Sequence, residues 1–244
     1  MVSTGGNESN SRAGSGVPGL DGLLEGGFPA GRAVLVCGRA GTGKTTLAAQ
    51  FLAQGLRQDE PGVLVSVDQK PRHVLHDAAR FGWGLEDAAS SKRLLLLDAA
   101  PYFTAAGDPR RRLDARQLSS DLARQVRETG ARRLAIDGMP SLVPDGLAPA
   151  QARDFLRSVI FAMEDNLGCT TVLTSAHDQA VAPCAEVGRV AEELVSGIVE
   201  LRVHSNGAGQ LERRLLIRKM RGTAAGLVER RFAILDGQGL VLEG

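Results

Sequence analysis

Two hydrophobic rhythms alternate along most of the chain. Short, mainly apolar or β-branched runs occur at Ala33–Cys37, Gly62–Val67, Leu94–Leu97, Leu134–Asp137 and Cys169–Thr174, each short enough to be a strand buried on both faces. Between them the apolar positions recur at helical spacing. Leu47, Ala48, Phe51, Leu52 and Leu56 form one such face. Val74, Leu75 and Ala78 follow Pro71 as a second, and Leu118, Leu122 and Val126 make a third that ends near Gly130. Ala152, Phe155, Leu156, Val159, Ile160 and Met163 follow Pro149 as a fourth. Strands that alternate with helices predict a mostly parallel, twisted sheet covered on both faces.

The C-terminal part has a different pattern. Gly197–Val203, the turn Asn206–Gly209 and Leu211–Lys219 read as a hairpin, with further short strands at Phe232–Leu235 and Gly239–Leu242. An antiparallel extension is therefore expected to finish the parallel sheet. Ala99 to Arg112 reads as an irregular loop. At the other end, Met1 to about Ser15 is Ser, Gly and Asn with almost nothing apolar, the composition of a disordered tail. A short helix is expected at Leu20–Leu24, and residues 16–244 read as a single domain without internal repeats.

The totals exclude several classes. Net charge is +1 over 244 residues, so no overall field draws the chain to nucleic acid or an anionic membrane. No apolar run approaches the roughly 20 residues a bilayer-spanning helix needs. Cys37, Cys169 and Cys184 are odd in number and show no paired spacing, which points to a reduced, cytoplasmic protein.

The first apolar run leads directly into Gly38–Arg39–Ala40–Gly41–Thr42–Gly43–Lys44–Thr45–Thr46. This fits the phosphate-binding loop pattern without a mismatch. Glycines at Gly38, Gly41 and Gly43 let the backbone approach a phosphate, and Thr42 to Thr46 turn successive N–H groups into one concavity at a helix N-terminus. Lys44 is placed to reach the β- and γ-phosphates of a nucleotide, with the Thr45 hydroxyl as a Mg²⁺ ligand. Asp137 ends an apolar strand on a carboxylate, the form expected of the second metal-site residue. Hydrolysis further needs a group that orients and deprotonates water. Asp68 and Gln69, followed by Lys70 and Pro71, end the second strand and are the candidates; spacing alone leaves a plain strand-to-helix turn open.

Several segments together resemble the KaiC-like branch of the RecA superfamily. They are Gly16–Val17–Pro18–Gly19–Leu20–Asp21, Gly26–Gly27–Phe28–Pro29–Ala30–Gly31, the phosphate loop, Arg80–Phe81–Gly82–Trp83, and Lys219–Met220–Arg221–Gly222–Thr223. The resemblance covers about one KaiC domain. It implies a P-loop ATPase of RecA type with ATP and Mg²⁺ as ligands, and a homo-oligomer, a hexameric ring in many members, with ATP between subunits. By position, Lys44 and Thr45 hold phosphate and Mg²⁺, and Asp137 is the acidic metal-site residue. Lys219 and Arg221 resemble a basic pair offered to the neighbouring subunit's γ-phosphate; their plain alternative is a pair of solvated charges on a strand. There are two departures. The resemblance implies two adjacent glutamates where this chain has Asp68–Gln69, which bears on hydrolysis and not on binding. A phosphorylated Ser-Thr pair of KaiC would fall near Glu192–Glu193, which have no hydroxyl.

Other signals carry less. His73 and His76 share a helix face, but no carboxylate or thiol set completes a metal site. Arg110–Arg111–Arg112 has no interleaved aromatics, in a chain that is only 4% aromatic, so stacking on nucleic acid is not expected. The segments after Asp137 and after Thr174 contain Asp145, Asp178 and Glu186, with no Lys or Arg before Arg189, which disfavours DNA. The expected function is an ATP-binding, slowly hydrolysing oligomeric switch acting on an unidentified protein partner. The alternatives are a non-hydrolysing ATP-bound scaffold and a DNA-dependent recombinase paralogue.

Overall fold

In a computed structural model, the described residues are 11–99, 115–143, 147–176, 182–205, 209–224 and 227–243. In chain order the elements are β1 (Arg12–Ala13), α1 (Leu20–Leu23), β2 (Phe28–Pro29), β3 (Ala33–Gly38), α2 (Lys44–Arg57), β4 (Gly62–Ser66) and α3 (Pro71–Ala79). Then come α4 (Leu85–Ser90), β5 (Leu94–Asp98), α5 (Ala115–Thr129), β6 (Arg133–Asp137), α6 (Pro149–Ala162), β7 (Thr170–Ala176) and α7 (Ala182–Leu194). The chain closes with β8 (Gly197–Ser205), β9 (Leu211–Met220), β10 (Val228–Leu235) and β11 (Gly239–Leu242).

Nine strands form one sheet in the order β11-β10-β9-β8-β3-β7-β6-β4-β5. The six from β8 to β5 are parallel, and β8 to β11 are antiparallel. This is the expected architecture, and its cause is visible in β3. Val34 and Val36 pack towards α2, whereas Ala33, Leu35 and Cys37 pack towards α6 and α7. Both faces are covered, so every residue of β3 is buried and the run reads as continuously apolar. One apolar cluster is capped by α1 to α4, the other by α5 to α7.

Order begins earlier than composition suggests. Arg12 and Ala13 pair with Pro29 and Phe28, and Ser15 is fully buried. The Ser15 N–H donates to Asp21 Oδ1 at 2.8 Å, and its Oγ accepts from the Val17 N–H at 3.1 Å. Polar residues here are held by specific hydrogen bonds, which composition does not register. The helices α4 and α7 were not legible. The first is barely two turns long, and Gly188 lies in the middle of the second, where it weakens the helical pattern. Arg110–Arg112, Asp145, Asp178, the tip Asn206–Gly207–Ala208, and the side chains of Cys184 and Glu186 lie outside the described residues.

Candidate functional site

The carboxyl ends of β3, β6, β4 and β7 meet at one edge of the sheet. After β3 the chain turns through residues 38–43 into α2. Gly38 has φ +154, and a Cβ there would lie 2.3 Å from the Leu201 carbonyl oxygen and 2.9 Å from Thr42 Oγ1, so only a bare backbone fits. Gly41 and Gly43 also have positive φ. Thr42 is buried and its hydroxyl donates to the Arg39 carbonyl at 2.9 Å, closing the loop on itself. Lys44 Nζ reaches across to the same carbonyl at 3.0 Å. Burial of its ammonium lowers the Lys44 pKa from the ordinary 10.5, while the charges of Asp137 and Asp68 pull the other way. Thr46, partly buried, follows in the first turn of α2.

Asp137 is the centre of the site. Register places Ser66 of β4 opposite it, and Ile136 opposite Leu173, so that Thr174 falls beside it on the other side. The Thr45 hydroxyl lies 3.0 Å from both carboxylate oxygens. Thr174 Oγ1 donates to Asp137 Oδ1 at 2.6 Å and accepts from the Gly138 N–H at 3.0 Å. Gln69 Nε2 donates to Asp137 Oδ2 at 3.3 Å. Asp137 is only 6% exposed, so these donors stand where water otherwise would. Asp68 comes from the neighbouring strand end. A Cβ on Gly138, at φ +92, would sit 2.5 Å from Asp68 Oδ2, so the glycine makes room for that carboxylate. The strand-end turn that brings it there is pinned by Ser66 Oγ donating to the Gln69 carbonyl at 2.6 Å.

Lys44, Thr45, Asp68, Gln69 and Asp137 are therefore brought together. The donor set fits a small divalent cation: a hydroxyl and a carboxylate, both hard oxygens, beside a lysine and a loop of glycine N–H groups. Thr174 is the residue that sequence reasoning missed. Its only signal was a hydroxyl near the carboxyl end of a strand that also carries Thr170, Thr171 and Ser175.

Lys219 and Arg221 lie elsewhere. The Arg221 N–H donates to the Ser196 carbonyl at 2.8 Å, and the Ser196 N–H to the Ala33 carbonyl at 2.9 Å. They sit at the start of β3, five residues and roughly 16 Å of strand away from Gly38. That is more than either side chain spans, so neither reaches the phosphate loop of its own chain. Lys219 Nζ instead donates to the carbonyls of Glu192 at 3.0 Å and Glu193 at 3.3 Å, at the C-terminal end of α7, where a cation complements the helix dipole. Burial and the nearby Arg221 charge lower its pKa. The Glu192 carboxylate is engaged by Arg218 at 2.9 and 3.0 Å, and that of Glu193 by Arg153.

His73 and His76 are exposed on α3, and no cluster of three His, Cys, Asp or Glu suited to a metal occurs among the described residues. Cys37 and Cys169 are buried and free. Burial, with Glu200 and Glu192 adding to it, pushes the Cys37 thiol up to about 12, so it packs as a small apolar group. Among the described residues no helix is long and apolar enough to cross a membrane.

A family model described as the KaiC ATPase matches residues 13–243. A UPF0273 protein of Thermotoga maritima is 33% identical over 240 residues, spanning 95% of this chain and 95% of its own length. The circadian clock oscillator protein KaiC of Parasynechococcus marenigrum is 32% identical over 210 residues, which is 86% of this chain and 40% of that protein. This chain thus matches less than half the length of such clock proteins. Among solved structures, a KaiC-like protein of the hyperthermophilic archaeon Pyrococcus horikoshii OT3 has a TM-score of 0.79 at 31% identity, covering 96% of this chain and 99% of that one. With a RecA-type sheet, a complete phosphate loop and a buried strand-end aspartate in contact with its threonine, the chain belongs to the KaiC ATPase family.

Proposed function

We propose that the chain is a cytoplasmic, single-domain ATPase that binds ATP·Mg²⁺ and turns it over slowly, and that nucleotide state switches a homo-oligomer between surfaces seen by a protein partner. The observation that carries this reading is the contact between Thr45 Oγ1 and the Asp137 carboxylate, 3.0 Å to each oxygen. It joins the phosphate loop to the acidic strand end in the arrangement a metal-nucleotide site needs. Thr45 and Asp137 would hold the Mg²⁺, and the ion would offset charge on the β- and γ-phosphates. Lys44 adds a cation on the same side. Thr174 and Gln69 fix the orientation of Asp137, and Asp68 is the group left to accept a proton from water.

ATP would sit between subunits. Lys219 and Arg221 lie too far from the phosphate loop of their own chain to serve it, which supports a role towards the nucleotide of a neighbour. In that role they would stabilise charge on the γ-phosphate in the transition state. Titration calorimetry with ATP·Mg²⁺ tests the site. Lys44→Ala should weaken binding about 10- to 100-fold, the range for losing a hydrogen bond to a charged group. Equal affinity in both proteins would refute the assignment. Light scattering with and without ATP tests the assembly; a monomer under both conditions at micromolar concentration would refute that part.

One observation favours a second reading, a non-hydrolysing ATP-bound scaffold. The Gln69 amide is directed to Asp137, so a water-activating role falls to Asp68 alone. Steady-state phosphate release separates the two readings.

A further inference from the structure

The segment that follows Arg221 is held by residues from the other end of the chain. Arg12 Nη1 donates to Thr223 Oγ1 at 2.9 Å, and Arg12 Nη2 donates to the Gly222 carbonyl. The Ala224 N–H donates to Glu25 Oε1 at 3.0 Å, and Arg12 Nη2 stands 3.9 Å from Glu25 Oε2. Three consecutive residues, 222 to 224, are thus gripped by one arginine and one glutamate that also face each other. The Arg12 side chain is only 9% exposed. Its Cβ and Cγ would stand 3.5 Å from a Cβ on Gly26, so its stem packs close against that glycine. On the other side, Arg221 is tied through its own N–H to Ser196.

We infer that Arg12, with Glu25, is a positioning residue for Lys219 and Arg221. It holds the turn at Gly222–Thr223 so that the Arg221 side chain projects from a fixed backbone. The physical reason is entropic. Arg221 is exposed and stands at the end of a strand, and a cation that must meet a phosphate on another subunit is effective only if its backbone does not wander. A planar guanidinium with two parallel donors fixes both the carbonyl of Gly222 and the hydroxyl of Thr223, which a lysine ammonium cannot do in one geometry. The β1–β2 strap thereby serves a site on the neighbouring subunit, although it lies far from the phosphate loop of its own chain. This inference rests on the proposed action of Lys219 and Arg221 in trans.

The experiment is a double-mutant cycle on phosphate release at saturating ATP·Mg²⁺, with Arg12→Ala, Arg221→Ala and both together. A misplacement of about 1 Å in such a group can cost on the order of a hundredfold, so Arg12→Ala should lower kcat by about tenfold or more with KM for ATP nearly unchanged. The double variant should be no slower than Arg221→Ala, because both act through one group. Arg12→Lys, which keeps the charge and loses the paired donors, should recover little. In parallel, the ATP concentration needed for half-maximal assembly, read by light scattering, should rise alike in Arg12→Ala and Arg221→Ala. Should Arg12→Ala not fold, Thr223→Val removes one acceptor of the clasp and should lower kcat in the same direction. Normal kcat and assembly in folded Arg12→Ala or Thr223→Val, with Arg221→Ala impaired, would overturn the inference. So would full recovery by Arg12→Lys. If Arg221→Ala itself matches the wild type in both readouts, the action in trans fails instead.

Discussion

Thr174→Val is the substitution on which the geometry of Asp137 makes its sharpest statement. Valine has nearly the shape of threonine, so the change opens no cavity and isolates the hydroxyl. Two bonds go with it: the donation to Asp137 Oδ1 at 2.6 Å and the acceptance from the Gly138 N–H at 3.0 Å, both buried. A hydrogen bond to a charged group contributes about 1.5–3 kcal/mol, and a buried N–H left without an acceptor costs about 1–3 kcal/mol. Because the two share one hydroxyl they do not simply add, and a loss of about 3 kcal/mol is expected. Thr174→Ser keeps both bonds and removes one methyl, for about 0.8 kcal/mol. Urea unfolding followed by circular dichroism measures both, as a shift in midpoint at constant slope. Asp137 should also lose its fixed orientation in Thr174→Val, which raises the Mg²⁺ concentration needed for nucleotide binding. If valine costs no more than serine, the hydroxyl is not what holds the carboxylate, and this account of the site is wrong.

Three further outcomes follow from particular contacts. The Lys44 ammonium is held below its ordinary 10.5 by burial, and bound phosphate should recharge it. Binding should then take up a proton, and affinity should fall, as pH rises through the lowered pKa; calorimetry in buffers of different ionisation enthalpy detects this, and no uptake anywhere below 10.5 would contradict it. The ligand-free fold has the opposite sign, since between the lowered pKa and 10.5 the unfolded chain binds more protons and stability from Lys44 rises with pH. Gly55→Ala should destabilise α2 by about 1–3 kcal/mol through overpacking, against an intrinsic helix gain of about 1 kcal/mol. Its Cβ would stand 2.3 Å from Arg133 Cδ, and a raised urea midpoint would refute this. Asp68→Asn should slow phosphate release without changing ATP affinity; equal release from Asp68→Asn and the parent would remove Asp68 as the base.

What the sequence revealed is what short-range pattern encodes. The phosphate loop is legible because its geometry is set by glycines at fixed offsets, and Asp137 because, in a chain with a complete phosphate loop, a carboxylate ending an apolar strand has the form of a metal-site residue. The alternation of strands and helices shows the sheet, and the turn between two β-rich runs shows the antiparallel extension. Thr174 was invisible for a physical reason: in a strand, threonine is a β-branched residue that packs like valine, and only the neighbouring strand reveals the partner of its hydroxyl. Arg12 carries no local signal either, since its partners lie 210 and 211 positions away. Lys219 reads as a surface charge on a strand, yet it caps α7, a helix whose own pattern Gly188 obscures.

Arg133 shows why the N-terminal strap belongs to the nucleotide-bearing unit. It opens β6 and is 1% exposed, an expensive place for a charge unless every donor is used. All three nitrogens are used. Nε meets Glu60 at 2.6 Å, Nη1 meets the carbonyls of Gly14 at 2.6 Å and Phe51 at 3.0 Å, and Nη2 meets Gln58 at 2.6 Å. Its guanidinium also lies 4.7 Å from the Phe51 ring centroid. Phe51 lies within α2 and Gln58 just beyond its end, and Gly14 belongs to the strap. Gln50, one residue earlier on α2, repeats the pattern: its amide donates to the carbonyls of Gly16, Gln238 and Leu240 and accepts from the Leu240 N–H. The helix whose N-terminus opens the phosphate loop is thus bonded through its middle and its far end to the strap, and through Gln50 to β11. The strap in turn grips the residues after Arg221. Two regions that no single side chain connects are thus joined by one helix and the eight hydrogen bonds of Arg133 and Gln50, so that under the proposed function a nucleotide seated on that helix would bear on the surface offered to a second copy.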